Sequence, residues 1–251
     1  MKQIAAVILG LLVIAGTSYG ADMTKVIDRA ATIIEEFQQI PEESIPVDVL
    51  NKARGLAIMN VGKAGFILSA RGGNGILIAR LSDGSWSAPS AIGTGGGGFG
   101  FQIGAEMTDF VIVLNSEKAV NSFGSAQGGT VTLGADMSVA AGPVGRNAEV
   151  GVTPSAAIYS YSRSKGLFAG VSLEGTVITE MKKTNAAFYG KPVTANEILS
   201  GSVPKPVAAE ALYTALQPYT VALPILEGKT VKAKVVEAAP VVKAAPVEKT
   251  E

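Results

Sequence analysis

Apolar residues recur at three- and four-residue steps from Met23 through Val26, Ile27, Ala30, Ile33 and Ile34 to Phe37. That spacing predicts an amphipathic helix over residues 22–39, stopped by Pro41. Its polar face sets Lys25 and Arg29 against Asp22, Asp28, Glu35 and Glu36. A helix lying on a membrane is usually basic there, so the acidic balance predicts packing on a domain instead. A second short helix begins at Pro46, a favoured first position, and runs to Arg54.

From Gly55 the pattern changes. Short apolar runs over 55–61, 64–70, 75–81, 99–105 and 110–115, divided by glycine or Asp-Gly, predict strands. Ser116 is placed to cap a helix of about two turns ending near Phe123. Residues 130–139 then alternate, with Val131, Leu133, Ala135, Met137 and Val139 on one face. The segments 156–161 and 167–178 flank Ser162-Arg163-Ser164-Lys165-Gly166, which reads as a hairpin loop with Gly166 at positive φ. Connections this short make the strands antiparallel. Towards the end Thr194 caps a helix over 195–199, Gly201 terminates it, and Pro206 opens another over 207–216. The predicted class is α+β: a strongly bent antiparallel β-sheet or partly closed barrel flanked by N- and C-terminal helices.

Between Arg71 and Gly104 glycine occupies about every third position, with the only tryptophan, Trp86, among them. Glycine serves positive φ, sharp sheet corners, or close approach of another backbone. A stretch this rich in glycine and still apolar predicts a tightly bent sheet rather than a linker.

The first twenty residues read as a secretory signal, with Lys2 ahead of an apolar run from Ala5 to Ala15 and cleavage expected before Ala21. Residues 21–228 form the expected single domain, and 229–251, dominated by Val, Lys, Ala and Pro, a disordered tail. The expected destination is therefore export to a bacterial periplasm or cell envelope. The chain contains neither cysteine nor histidine. That removes Ser-His-Asp triads, cysteine nucleophiles and histidine-ligated zinc or haem, and the composition leans towards a protein that is not an enzyme and needs no cofactor. With 21 basic and 21 acidic side chains the formal charge is zero, so no nucleic-acid partner is expected.

Gly93-Thr94-Gly95-Gly96-Gly97-Gly98 satisfies G-x-G-x-x-G, but Phe99-Gly100-Phe101 follows as a strand where a dinucleotide site needs a helix. Ser162-Arg163-Ser164-Lys165 matches S-x-x-K without the companion motifs or the helix start that chemistry requires. The carboxylates of the strand block show no metal-loop spacing. Arg71, Arg80, Arg146, Arg163 and Lys165 fall beside glycines or at strand ends. Arginine forks with bare glycine N–H groups suit a phosphate or carboxylate receptor; ordinary sheet-rim charge is the other reading.

Several segments resemble the SYLF domain family: Gly62-Lys63-Ala64-Gly65-Phe66, Arg71-Gly72-Gly73-Asn74-Gly75, Asp83-Gly84-Ser85-Trp86-Ser87-Ala88-Pro89, Gly100-Phe101-Gln102-Ile103-Gly104 and Gly142-Pro143-Val144-Gly145-Arg146. The most specific are Tyr161-Ser162-Arg163-Ser164-Lys165-Gly166-Leu167-Phe168-Ala169-Gly170 and Glu174-Gly175. The similarity runs over about 22–217. It implies a lipid-binding domain, with phosphoinositide and membrane binding in eukaryotic members, some of which also bind actin filaments. The resemblance and the cation placement together predict recognition of anionic lipid headgroups by Arg163 and Lys165, then Arg71, Arg146 and Arg80. An exported member is expected to meet no actin. The rival expectations are a structural or protein-interaction module of the envelope, and an outer-membrane β-barrel.

Overall fold

The computed structural model describes residues 22–40, 44–124, 130–132, 139–141, 158–166 and 177–219. The expected leader, the tail and Arg146 lie outside them. Helix α1 (Met23–Gln39) begins where Asp22 accepts a hydrogen bond from the Thr24 N–H, capping one of the free amides of the first turn. Helix α2 (Val47–Lys52) follows Pro46. The centre is a pair of antiparallel strands, β1 (Gly55–Ala79) and β2 (Ser90–Leu114), in register from Gly55 opposite Leu114 to Leu77 opposite Ser90. Helix α3 (Glu117–Gly124) starts where the Ala119 N–H meets the Ser116 hydroxyl.

Strands β3 (Thr130–Thr132), β4 (Val139–Ala141), β5 (Ile158–Gly166) and β6 (Val177–Glu180) complete the sheet in the order β3-β6-β2-β5-β4, with β1 on β2. Every pairing is antiparallel except β4 with β5. Helices α4 (Lys182–Tyr189), α5 (Ala195–Leu199) and α6 (Glu210–Leu216) close the domain. The α+β expectation holds.

The five short runs read between 55 and 115 are two 25-residue strands. Their glycines do not end the strands but let β1 double back across itself. A β-carbon on Gly73 would sit 2.8 Å from Val61 Cα, and one on Gly75 would sit 2.8 Å from Met59 Cα. Only glycine permits that approach. At the open end the Arg80 N–H donates to the Arg54 carbonyl at 2.8 Å, tying the two ends of β1 together.

The predicted hairpin loop over 162–166 is instead the second half of β5, paired from Arg163 opposite Asp109 to Gly166 opposite Glu106. Polar side chains disguised it, because the alternation continues without an apolar face. Residues 133–138 and 167–176, read as strand, lie outside the described residues.

Both faces of the central strands are buried. Leu56, Ile58, Ile76, Ile78, Val111, Val113, Tyr159 and Tyr161 pack with α1 and α6. Ala57, Met59, Val61, Leu77, Phe110, Ile112 and Leu114 pack with α3 and α5. On α1, Ile27, Ile33 and Ile34 are each almost wholly buried, contributing about 1.5–3 kcal/mol apiece. No helix among the described residues is long and apolar enough to cross a membrane.

Candidate functional site

Of the five cations singled out in the sequence, Arg146 lies outside the described residues and the other four reach different surroundings. Arg80 is turned into the interior. Its Nη2 donates to the carbonyls of Leu50 at 2.9 Å and Tyr219 at 3.1 Å, its Nη1 to Gly84 at 3.1 Å, and its Nε to Ala53 at 3.4 Å. The guanidinium stacks 3.8 Å over the Trp86 ring. Burial, and then the charge of Arg54, pull its pKa down to about 10. A side chain committed in this way fastens α2 and the C-terminal segment to the sheet, and it is not available to a ligand headgroup.

Arg163 lies under the end of α1, where its Nη1 donates to the Glu36 carbonyl at 2.9 Å. With it, a cluster of two arginines and two carboxylates forms there. Arg29 Nη2 meets Asp109 Oδ2 at 2.5 Å, and its Nη1 meets Glu36 Oε1 at 3.3 Å. The Asn60 amide donates to Asp109 Oδ1 at 2.6 Å. Burial draws the Arg29 pKa down, but the hydrogen bonds and charges of Asp109 and Glu36 outweigh it, so the net movement is upward. Asp109 is 3% exposed, and a buried charge persists only when paired. This cluster holds α1 onto the sheet. The signal was present in the sequence: Asn60 and Asp109 interrupt faces otherwise occupied by Leu56 and Ile58, and by Val111 and Val113.

Arg71 stands apart. It is half-buried on the glycine-rich half of β1, opposite Gly96. A β-carbon on Gly96 would touch its Nε at 3.1 Å, while the position next door, Gly95, faces open space. Among the described residues Arg71 makes no hydrogen bond or ion pair. The guanidinium therefore lies across bare backbone. Lys63 is near in the fold, since a β-carbon on Gly62 would lie 3.8 Å from the Gly72 carbonyl where β1 doubles back. Lys63 is the cross-strand partner of Glu106. Glu106 is 2% exposed; its Oε1 accepts from the Thr108 hydroxyl at 3.1 Å, and its Oε2 is without a hydrogen bond.

Lys165 follows Arg163 on β5 as the cross-strand partner of Met107, whose side chain is 47% exposed. The structure thus sets Arg163 and Lys165 on one strand, Arg71 on the far half of the ribbon, and Arg80 inside. Sequence reasoning gave no role to Lys63. Among the described residues no group of three or more carboxylates forms a metal site.

This arrangement defines a β-ribbon domain with a cation laid over a glycine strip at its folded end, beneath helices fixed by internal ion pairs. The chain contains a domain of the Ysc84 family: residues 95–219 match the family model described as "Las17-binding protein actin regulator". It is 52% identical over 199 residues to human SH3 domain-containing YSC84-like protein 1, covering 76% of this chain and 58% of that protein. It is 51% identical over 198 residues to LAS seventeen-binding protein 3 of Saccharomyces cerevisiae, covering 75% of this chain and 43% of the relative. A Schizosaccharomyces pombe SH3 domain-containing protein is 55% identical over 179 residues, with 70% of this chain and 41% of the relative matched. The match to the human protein thus spans little more than half its length. No solved structure matches.

The resemblance read from the motifs is borne out at the level of the domain family. Two expectations are corrected. Export to a bacterial envelope is overturned by relatives that are human and yeast proteins at about half identity. The expectation of no actin connection is overturned by the family description as an actin regulator and by a relative named for binding Las17.

Proposed function

We propose that this domain binds anionic lipid headgroups without turnover, through the folded, glycine-rich end of the β1–β2 ribbon, within an actin-regulating assembly of the Ysc84 kind. The observation that carries the reading is Arg71: a half-buried guanidinium with no partner among the described residues, lying beside exposed backbone at Gly95 and Gly96. A guanidinium fork and nearby free N–H groups match a phosphate bidentately. Arg163 and Lys165, whose strand positions lie opposite Asp109 and the exposed Met107, are the secondary candidates of the same sign. Arg80 is withdrawn from the set because its donors are spent on carbonyls.

The test is co-flotation with vesicles of phosphatidylcholine alone and with added phosphatidylserine or phosphoinositide. Binding is expected only to the anionic vesicles. Arg71→Gln is expected to weaken it about tenfold, the worth of one charge-assisted contact. Equal recovery with both vesicle types overturns the lipid reading; full binding by Arg71→Gln overturns the assignment to Arg71. A second reading, a docking module for a Las17-like protein, is supported by the family description. Pull-down of such a partner with no vesicle binding favours it.

A further inference from the structure

We propose a second ligand site at the opposite end of the ribbon: a recess between the two ends of β1, α3 and α5 that takes a small phosphate-bearing anion, with Arg54 as its anchoring cation. The recess holds about 160 Å³ and is lined by Arg54, Arg80, Glu117, Asn121, Asn196 and Ser200, among others. It lies at the base of the strands. Arg71, opposite Gly96 on the glycine-rich half of β1, is not among the residues that line it. The two sites are therefore separate.

Three observations converge on an anion. Arg54 is half-buried, and among the described residues its side chain makes no hydrogen bond or ion pair. Arg80, in the same wall, is a buried cation whose hydrogen bonds all go to carbonyl groups, with no carboxylate paired to it among the described residues. Buried charges are ordinarily neutralised by an opposite one. The two guanidinium groups also repel each other, which contributes to the depressed pKa of Arg80. Among the described residues the wall thus carries positive charge with no acid bonded to it; the one lining carboxylate, Glu117, is exposed.

Asn121 of α3 and Asn196 of α5, both exposed, line the recess, and among the described residues neither side chain has a hydrogen-bond partner. Ser200 contributes less, since its hydroxyl already donates to the Glu197 carbonyl. One fork and two amide groups suit the several oxygens of a phosphate better than a single carboxylate. The volume falls below the roughly 300 Å³ of drug-sized pockets, so it admits a phosphate monoester head and a few further atoms. A free phosphate monoester and a phosphatidate headgroup share this chemistry.

The experiment titrates the full chain with inorganic phosphate and glycerol 3-phosphate by calorimetry, and separately with phosphatidate-bearing vesicles. Arg54→Gln is expected to weaken binding at least tenfold without moving the melting temperature measured in the absence of phosphate. Asn196→Ala is expected to weaken it several-fold, and Glu117→Gln to tighten it by removing a repelling charge. Binding of the soluble monoester identifies a free ligand; binding confined to phosphatidate vesicles identifies a headgroup. Arg71→Gln leaves the phosphate titration unchanged, which separates this site from the lipid surface. The proposal is overturned if Arg54→Gln binds both probes normally, if neither probe binds, if Glu117→Gln weakens binding, or if Arg71→Gln abolishes the phosphate signal.

Discussion

Replacing Arg80 with methionine removes the guanidinium while keeping an unbranched chain of similar reach. Three short hydrogen bonds disappear, to the carbonyls of Leu50, Tyr219 and Gly84, together with a longer one to Ala53. Leu50 keeps a second donor, the Ala53 N–H at 3.3 Å. Hydrogen bonds to charged groups contribute about 1.5–3 kcal/mol each, so the three short ones amount to roughly 4–9 kcal/mol. Against this, methionine escapes the cost of burying a charge. The fall of the Arg80 pKa from 12.5 to about 10, from burial first and the charge of Arg54 second, corresponds to ~3 kcal/mol. The balance is a loss of about 1–6 kcal/mol, a large share of the ~5–15 kcal/mol that holds a domain together. Urea unfolding followed by circular dichroism checks it, with Trp86 fluorescence in parallel because that ring lies directly under the guanidinium. A loss below about 1 kcal/mol would refute the reasoning, since it would mean that the four carbonyls do not depend on Arg80.

Two further outcomes follow from the same geometry. Gly75→Ala places a methyl group 2.8 Å from Met59 Cα, where backbone cannot yield, and is expected to cost upwards of ~2 kcal/mol. Gly95→Ala meets open space and is expected to stay within about 0.5 kcal/mol; thermal melts of the pair decide whether close approach or mere flexibility explains the glycines. Burial, helped by Tyr159, lifts the Tyr161 phenol far above its ordinary value of 10, and burial lifts Tyr213 to about 12. Above pH 10 the unfolded chain loses these protons while the folded one keeps them, so their contribution is complete below pH 10 and drains away as pH rises through the raised values. Urea midpoints at pH 9, 10 and 11 should therefore fall, with a slope of up to about 1.4 kcal/mol per pH unit from Tyr161, and Tyr161→Phe should flatten it.

The helices announced themselves because their ends carry local chemistry. Asp22, Ser116 and the reciprocal Thr194–Glu197 pair each satisfy free amides within three residues, and such caps can be read from adjacent letters. Helix α4 escaped notice because it lacks an apolar stripe: its fully buried anchor is Asn185, whose amide oxygen accepts from the Ala91 N–H at 2.7 Å and whose nitrogen donates to the Ser90 hydroxyl and Glu180. The long strands escaped because Gly72, Gly73 and Gly75 look like punctuation, whereas close passage of β1 over itself demands them. The fate of each arginine was least legible. Arg80 sits next to a turn like any rim residue, yet its partners Leu50 and Tyr219 are 30 and 139 residues away. Such partnerships exist only after folding. The glycine neighbours of Arg71, by contrast, are adjacent letters and could be read before folding.

The double-sided burial of the central strands bears on how the glycine-rich end keeps its alignment. Around Gly93–Gly98 hardly any side chains exist to distinguish one pairing from the next. A slip by one position, however, would turn Ile58 and Met59, and every residue like them, into the wrong layer on both sides at once. The aliphatic base acts as the key that indexes the ribbon, and the featureless tip inherits its alignment from there. Freed of that duty, the tip is left with a smooth, low-relief surface on which a lone guanidinium can lie flat.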